Sequence, residues 1–286
     1  MPSLRQIRRR IRSIQNTGKV TKAMEMIAAT RMRRAQSNAL SGRPYANKLQ
    51  EVISNLAAQP REESVEIHPL LQSREVKTIQ LLHITPDRGL CGGLNSSLNR
   101  HVAEFILRQN VPVNMIVVGR KCRDFMVRSG QDVKAVFTNM SDRPQLEDTN
   151  PIAHMVISDY KSLLTDEVHV AYGEFVSTAV QNPVIKKLLP IIPSELAGSL
   201  QSGYIYEPTH TEILDVALPR YVEAQIYHAL LELIASEQSA RMVAMRNATE
   251  SASEMASDLS LIANKVRQES ITNELLDIIG GAAALE

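Results

Sequence analysis

Apolar residues recur at alternating three- and four-residue steps at both ends of the chain, a spacing that predicts two long helices winding around one another. At the N-terminus the steps run Leu4, Ile7, Ile11 and Ile14, then meet Gly18 and Thr21. The same seam continues with Ala28, Met32 and Ala35 further on, while a second face, Val20, Met24 and Ile27, is expected to take over where it thins. The C-terminal seam is more regular: Met245, Ala248, Ala252, Met255, Leu259, Ile262 and Val266, continuing backward through Arg241, Gln238, Ile234, Leu231 and Tyr227. Pro219 suits a first helical turn, Gly42 and Pro44 mark a break in the first helix, and Gly280-Gly281 end the second. Neither segment has the bulky rings that fill a multi-helix core, since no Phe, Tyr or Trp occurs before Tyr45 or after His228. A narrow two-helix shaft is expected, and at ~1.5 Å per residue some 60 residues would extend roughly 90 Å.

The middle of the chain changes period. Val76 to Ile84 and Val113 to Val118 read as apolar strands, and Val133 to Phe137, Val168 to Phe175 and Val184 to Ile192 as weaker ones. Asn95 to Gln109, Lys121 to Ser129 and Pro151 to Leu164 are helix-like stretches between them. Strands alternating with helices predict a small Rossmann-like α/β domain with a mainly parallel sheet. Ala57 to Ser73 reads as a surface linker and Pro193 to Thr211 as a loop. The expected division is therefore a shaft helix over 1–57, an α/β domain over 74–205 and a second shaft helix over 209–286 that pairs with the first.

Charge sharpens this picture. The net charge of +1 over 286 residues hides +10 over residues 1–43, −4 over 44–218 and −5 over 219–286. Some N-terminal arginines should pair with acids of the other helix and others face outward. With 44% hydrophobic residues the chain can build a core, which should lie in the middle. No apolar run approaches the ~18 to 20 residues needed to span a bilayer, so membrane contact is expected only through a partner. Signal-peptide architecture is missing, and the Arg-rich start, although like a transit peptide, carries the heptad pattern from Leu4 and reads as part of the rod. Two cysteines, Cys91 and Cys122, are too few for a disulfide scaffold.

Candidate chemistry is sparse. Thr85-Pro86-Asp87-Arg88-Gly89-Leu90-Cys91-Gly92-Gly93-Leu94-Asn95 falls where a strand turns into a helix, a place where backbone N–H groups can cradle phosphate. It matches neither a P-loop nor a dinucleotide fingerprint, and a tight structural turn is the stronger reading. Cys91 as a nucleophile, with His83 or His101 as base, lacks an orienting third group. The seven histidines show no ligand-like spacing, so no metal site is expected. The basic run Arg5, Arg8, Arg9, Arg10, Arg12, Lys19, Lys22, Arg31, Arg33 and Arg34 fits a nucleic-acid-binding coiled coil as an alternative. Missing stacking aromatics and the acidic helix alongside count against that.

Three blocks resemble the gamma subunit family of bacterial F-type ATP synthases. Arg5-x-x-Arg8-x-x-Ile11 followed by Ser13 to Ala29 (SIQNTGKVTKAMEMIAA) looks like the family's first helix, and Asp87 to Asn95 (DRGLCGGLN) like its central motif. Ser236 to Thr249 (SEQSARMVAMRNAT) and Asn264 to Leu275 (NKVRQESITNEL) resemble its last helix. The resemblance implies a central rotor shaft of the proton-translocating enzyme, an antiparallel coiled coil inside a ring of three alpha and three beta subunits. Its α/β foot would rest on the epsilon subunit and the membrane c-ring. It also implies that this chain has no catalytic residues or cofactor of its own, ATP, ADP and Mg being held by alpha and beta. By the same resemblance, Lys19, Met24, Arg33, Arg34, Arg241, Gln268 and Thr272 would face beta, with Arg241 directed outward, and Ile271, Leu275 and Ile278 would carry a tip into an apolar sleeve of the ring. The expected site is the cytoplasmic face of a bacterial membrane, and thiol control is not expected, because the Ile192 to Thr211 stretch is short and has no cysteine.

Overall fold

The computed structural model describes residues 3–58, 68–192 and 210–283. Two helices, α1 (Leu4–Ala58) and α5 (His210–Ala283), enclose in sequence a five-stranded domain: β1 (Ile79–Ile84), α2 (Leu94–Arg108), β2 (Val113–Val118), α3 (Arg120–Arg128), β3 (Val133–Phe137), α4 (Asn150–Lys161), β4 (Glu167–Phe175) and β5 (Gln181–Leu189). The expected loop at Pro193 to Thr211 lies almost wholly outside the described residues, as does much of the expected linker at Ala57 to Ser73.

Three punctuation signals did not act. α1 runs through Pro44, α5 begins nine residues before Pro219, and Gly280-Gly281 are inside α5. At Pro219 the reason is tertiary: Ala217 and Leu218, just before the proline, are buried in the domain core, and packing outweighs a local preference of about 3 kcal/mol. The structure divides into a unit of the described residues up to Ala28 with those from Arg241 onward and a unit within Ala29–Ala240, so the division falls inside both long helices.

In the larger unit the sheet order is β3-β2-β1-β4-β5, with the first four strands parallel and β5 antiparallel at the edge. Alternation sorts the strands onto two faces. Leu82 and Ile84, Ile116 and Val118, and Val168, Val170 and Tyr172 join a core completed by α4 and by Leu218, Val222, Ile226, Ala229, Leu230 and Leu233 of α5. Leu81, Met115, Val117 and Ala171 face the other way, onto Val102 of α2 and Cys122 and Met126 of α3. A parallel sheet covered on both faces explains why β1 is buried at every position.

Candidate partner interface

The smaller unit is a two-helix shaft whose buried positions on α1 are more regular than expected. Leu4, Ile7, Ile11, Ile14, Gly18, Thr21, Glu25 and Ala28 are all buried or half-buried. The steps alternate three and four without a break, so the contact does not move to a second face. Val20 and Ile27 are more than half exposed, and only Met24 of that face is half-buried. Thr21 and Glu25 take the two seam places where apolar residues were missing.

On α5 the seam is Arg241, Met245, Ala248, Ala252, Ala256, Leu259, Ala263 and Val266. Met255 and Ile262, expected in the seam, are 53% and 48% exposed, while Ala256 and Ala263 take their places. One step of four in place of three, Ala252 to Ala256, keeps the contact on the face of a helix with 3.6 residues per turn and moves alanines inward. Small residues allow close approach: a Cβ built on Gly18 would lie 3.5 Å from that of Ala252. Thr21 meets Thr249 and Glu25 meets Arg246, so partners descend on one helix as they ascend on the other, and the pairing is antiparallel.

A polar layer crosses this seam. The Thr21 and Thr249 hydroxyls are 2.7 Å apart, and each also donates within its own helix, to the carbonyls of Gly18 and Met245. Those two contacts compete for one hydroxyl proton each, so the hydrogen bonding is shared. Glu25, 7% exposed, accepts from Lys22 Nζ at 2.9 Å and lies 3.5 Å from Arg246 Nε. The Lys22 hydrogen bond, opposed by partial burial and assisted by Arg246, holds its carboxyl below the usual glutamate range. The expected pairing of N-terminal arginines with acids of α5 does not occur among the described residues. The ion pair across the shaft runs the other way, from Arg246 of α5 to the lone N-terminal acid.

Outside the seam the shaft exposes large apolar side chains: Val20, Met26 and Ile27 on α1, and Met255, Leu261, Ile262, Ile271, Leu275, Leu276, Ile278 and Ile279 on α5. From Arg267 to Ile279 every residue is exposed, because the last seam contact is Val266. An exposed apolar surface of this extent marks an interaction site.

The residues proposed to face beta fall into three groups. Lys19, Arg33, Arg34, Gln268 and Thr272 are exposed, and the Thr272 hydroxyl donates to the Gln268 carbonyl. Met24 is half-buried. Arg241 is only 9% exposed and lies on the seam side of α5, so in the chain by itself it does not point outward as expected.

In the larger unit the turn after β1 secures itself. Asp87 Oδ1 accepts from the Arg120 N–H at 2.9 Å and Oδ2 from the Asn139 N–H at 2.8 Å. Thr85 Oγ1 accepts from the Cys122 N–H and the Pro86 carbonyl from the Lys121 N–H. The donors at the start of α3, the kind that could receive a phosphate, are thus occupied by the protein's own oxygens. Gly119 lets the strands close: its φ is +103°, and a Cβ there would sit 1.9 Å from the Thr85 carbonyl oxygen. Cys91 is buried, and its sulfur accepts from Asn95. His83, imagined as its base, lies 2.9 Å from Asn99 Oδ1, and burial, partly offset by that hydrogen bond, lowers its pKa to about 4. Cys91 and His83 thus each have an asparagine as a side-chain partner, Asn95 and Asn99. No group of His, Cys, Asp and Glu suited to a metal occurs among the described residues, and no described helix is long and apolar enough to cross a membrane.

Comparison with known proteins agrees with this architecture. The family model for ATP synthase matches residues 3–285. The chain is 55% identical over 285 residues to the ATP synthase gamma chain of Dehalococcoides mccartyi (strain CBDB1), covering 100% of both. It is 47% identical to that of Roseiflexus castenholzii (strain DSM 13941 / HLO8), covering 100% of this chain and 99% of the relative. Among solved structures it is similar to a chain of the Tetrahymena thermophila mitochondrial ATP synthase central stalk and c-ring, with a TM-score of 0.62 at 27% identity over 80% of this chain and 99% of that one. A chain of the Euglena gracilis mitochondrial ATP synthase, at 19% identity and a TM-score of 0.68 over 99% and 94%, shares the fold.

Proposed function

Because the chain belongs to the ATP synthase gamma-chain family, we propose that it is the central rotor shaft of an F-type ATP synthase, coupling rotation of a membrane c-ring to the catalytic cycle of the beta subunits. The observation that carries this reading is the full-length match to gamma chains, joined to a shaft whose outer surface is apolar where it has no partner helix. A shaft with one irregular outer surface touches three identical beta subunits differently. It stabilises a different conformation in each, and turning it exchanges them.

Lys19, Met24, Arg33, Arg34, Gln268 and Thr272 are the proposed contacts to beta, and Arg241 would join them if assembly draws its side chain out of the seam. Epsilon and the c-ring are the proposed partners of the α/β domain. The bond-making chemistry and the binding of ATP, ADP and Mg belong, on this reading, to alpha and beta, with the chain peripheral on the cytoplasmic face of a bacterial membrane. The nucleic-acid alternative finds no support in these gamma-chain relatives.

The test is reconstitution. Mixing the chain with matching alpha and beta subunits should give a stable complex with one copy per three beta subunits and faster ATP hydrolysis than alpha and beta alone. Failure to assemble, with stoichiometric binding to nucleic acid instead, would overturn the reading.

A further inference from the structure

A cleft of about 480 Å³ runs between α2 and α3, on the sheet face opposite α5. Three cations line it: Arg100 of α2, and Lys121 and Arg128 of α3. The acid among them, Asp124, is already engaged, because its Oδ1 accepts from Arg123 Nε at 3.0 Å and Nη2 at 2.7 Å, which holds its carboxyl below the usual aspartate range. Arg100 meets Glu104 only at 4.0 Å, and no carboxylate lies within 4 Å of Lys121 or Arg128 among the described residues. The cleft keeps a surplus of positive charge. It also takes in the start of α2, at Asn95 and Ser96. Gly93, the N-cap there, supplies no side chain, the first turn holds no acid, and no acceptor meets the Asn95 and Ser96 N–H groups among the described residues. Asn99, 7% exposed, lines the cleft beneath them. Its Oδ1 lies 2.9 Å from His83 Nε2, and its Nδ2 reaches the Lys121 carbonyl only at 3.5 Å, so one hydrogen of that buried amide is left for an occupant. Ala103 and Phe125, both half-buried, supply an apolar wall.

We propose that this cleft binds a small organic phosphate, with the phosphoryl group on the Asn95 and Ser96 N–H groups, Arg100 and Lys121, and a flat apolar body against Ala103 and Phe125. Free N–H groups at a helix start, a guanidinium and an ammonium are the donors that phosphoryl oxygens accept from best. The strand-to-helix turn that ends at Asn95 thus keeps at α2 the donors that are taken at α3. A bare phosphate would leave the apolar wall unused, and the volume is in the range of pockets that enclose small organic molecules. The site is independent of the rotor reading, because α2 and α3 contribute nothing to the shaft seam or to the contacts assigned to beta.

The probe is AMP, which carries a phosphate and an aromatic base, followed by equilibrium dialysis against the full chain at fixed ionic strength, with adenosine and orthophosphate as its two halves. Each half should bind about tenfold more weakly than AMP, or weaker still. Arg100→Ala/Lys121→Ala should lose about tenfold in AMP affinity. Arg108→Ala, exposed on α2 but outside the cleft, should change it less than about twofold. Ser96→Glu sets a carboxylate at the start of α2, where it favours the helix and repels a phosphate. Its melting temperature should be unchanged or higher while AMP affinity falls about tenfold, so the loss cannot come from unfolding. Absence of AMP binding, adenosine bound as tightly as AMP, or equal affinity in the chain and Ser96→Glu would each overturn the proposal. Equal losses in Arg108→Ala and the double variant would do the same, by showing unspecific attraction to basic helices. So would binding to phosphatidylglycerol vesicles that the double variant loses, in a chain that does not bind AMP, since the phosphate recognised would then be a lipid's.

Discussion

Glu25 is the one acid of the N-terminal segment, and replacing it separates stability from alignment. Its partners Lys22 and Arg246 are 57% and 62% exposed. The carboxylate is covered by its neighbours, yet a shaft two helices thick leaves water one side chain away, so each pair is worth about 0.5 kcal/mol. Glu25→Ala should cost roughly 1 kcal/mol from the two pairs. Glu25→Leu loses the same pairs and buries an aliphatic side chain worth about 1.5 to 3 kcal/mol, so the shaft should become more stable by roughly 1 kcal/mol. Alignment should suffer instead, because an apolar seam tolerates sliding that a polar layer forbids.

The register reporter is already in the structure. The 3.5 Å approach of a Gly18 Cβ to the Ala252 Cβ lies within disulfide range. Gly18→Cys with Ala252→Cys should therefore oxidise almost completely, and the native Cys91 and Cys122 are both buried. Adding Glu25→Leu should raise the melting temperature of the reduced chain while lowering the cross-linked fraction. A lower melting temperature with complete cross-linking would refute the reasoning and make Glu25 a stabiliser without a part in register. A pH arm adds a sign. The folded carboxyl is held below the ordinary value of 4.5, so its contribution is present above that value and is lost as pH falls through the depressed folded pKa. The difference in stability between the chain and Glu25→Gln should vanish there.

Gly119→Ala puts a methyl group 1.9 Å from the Thr85 carbonyl at a positive φ, and should cost about 3 kcal/mol or more, measured by denaturant unfolding; a cost below about 1 kcal/mol would mean the turn relaxes freely. His83 is neutral in the fold with a pKa lowered from 6.5 to about 4, so its contribution is intact above pH 6.5 and declines as pH falls toward 4, by roughly 3 kcal/mol in all. Melting curves of His83→Asn should have a shallower slope across that range, and an unchanged slope would remove His83 as the cause. Ser in place of Ile271, Leu275 and Ile278 should leave the melting temperature of the free chain within about 2 °C, since exposed positions away from special contacts change stability little. It should weaken assembly with alpha and beta as measured by size-exclusion chromatography, and unimpaired assembly would dismiss the tip as an anchor.

Most of the α/β domain was legible because a buried parallel strand is simply an apolar run: β2 and β3 have the bounds their sequence predicts. β1 starts later than its apolar stretch, at Ile79, because the Asp166 carboxylate takes the Lys77 and Thr78 N–H groups first, which no local pattern reveals. The residue that secures the turn after β1 was not legible in the sequence. Asp87 acts on Arg120 and Asn139, 33 and 52 positions away, and pairing at that separation is fixed by topology alone.

The shaft was misread in an instructive way. Met255 and Ile262 are expected in the seam and Glu25 is not, yet those two are about half exposed and Glu25 is 7% exposed. Where the helices come closest, at Gly18 and Ala252, the inner places go to small residues, while Ile7 and Met245 stay buried elsewhere in the seam and Met255 and Ile262 turn outward. The spacing itself carried the signal, since Gly18, Thr21, Glu25 and Ala28 continue the three-four rhythm begun at Leu4. An outward apolar surface would be a liability in a free coiled coil and is required of one that must turn inside other proteins. The exposed Val20, Met26, Ile27, Met255, Leu261 and Ile262 are therefore the physical mark of a shaft: apolar side chains left outside the seam for whatever surrounds it.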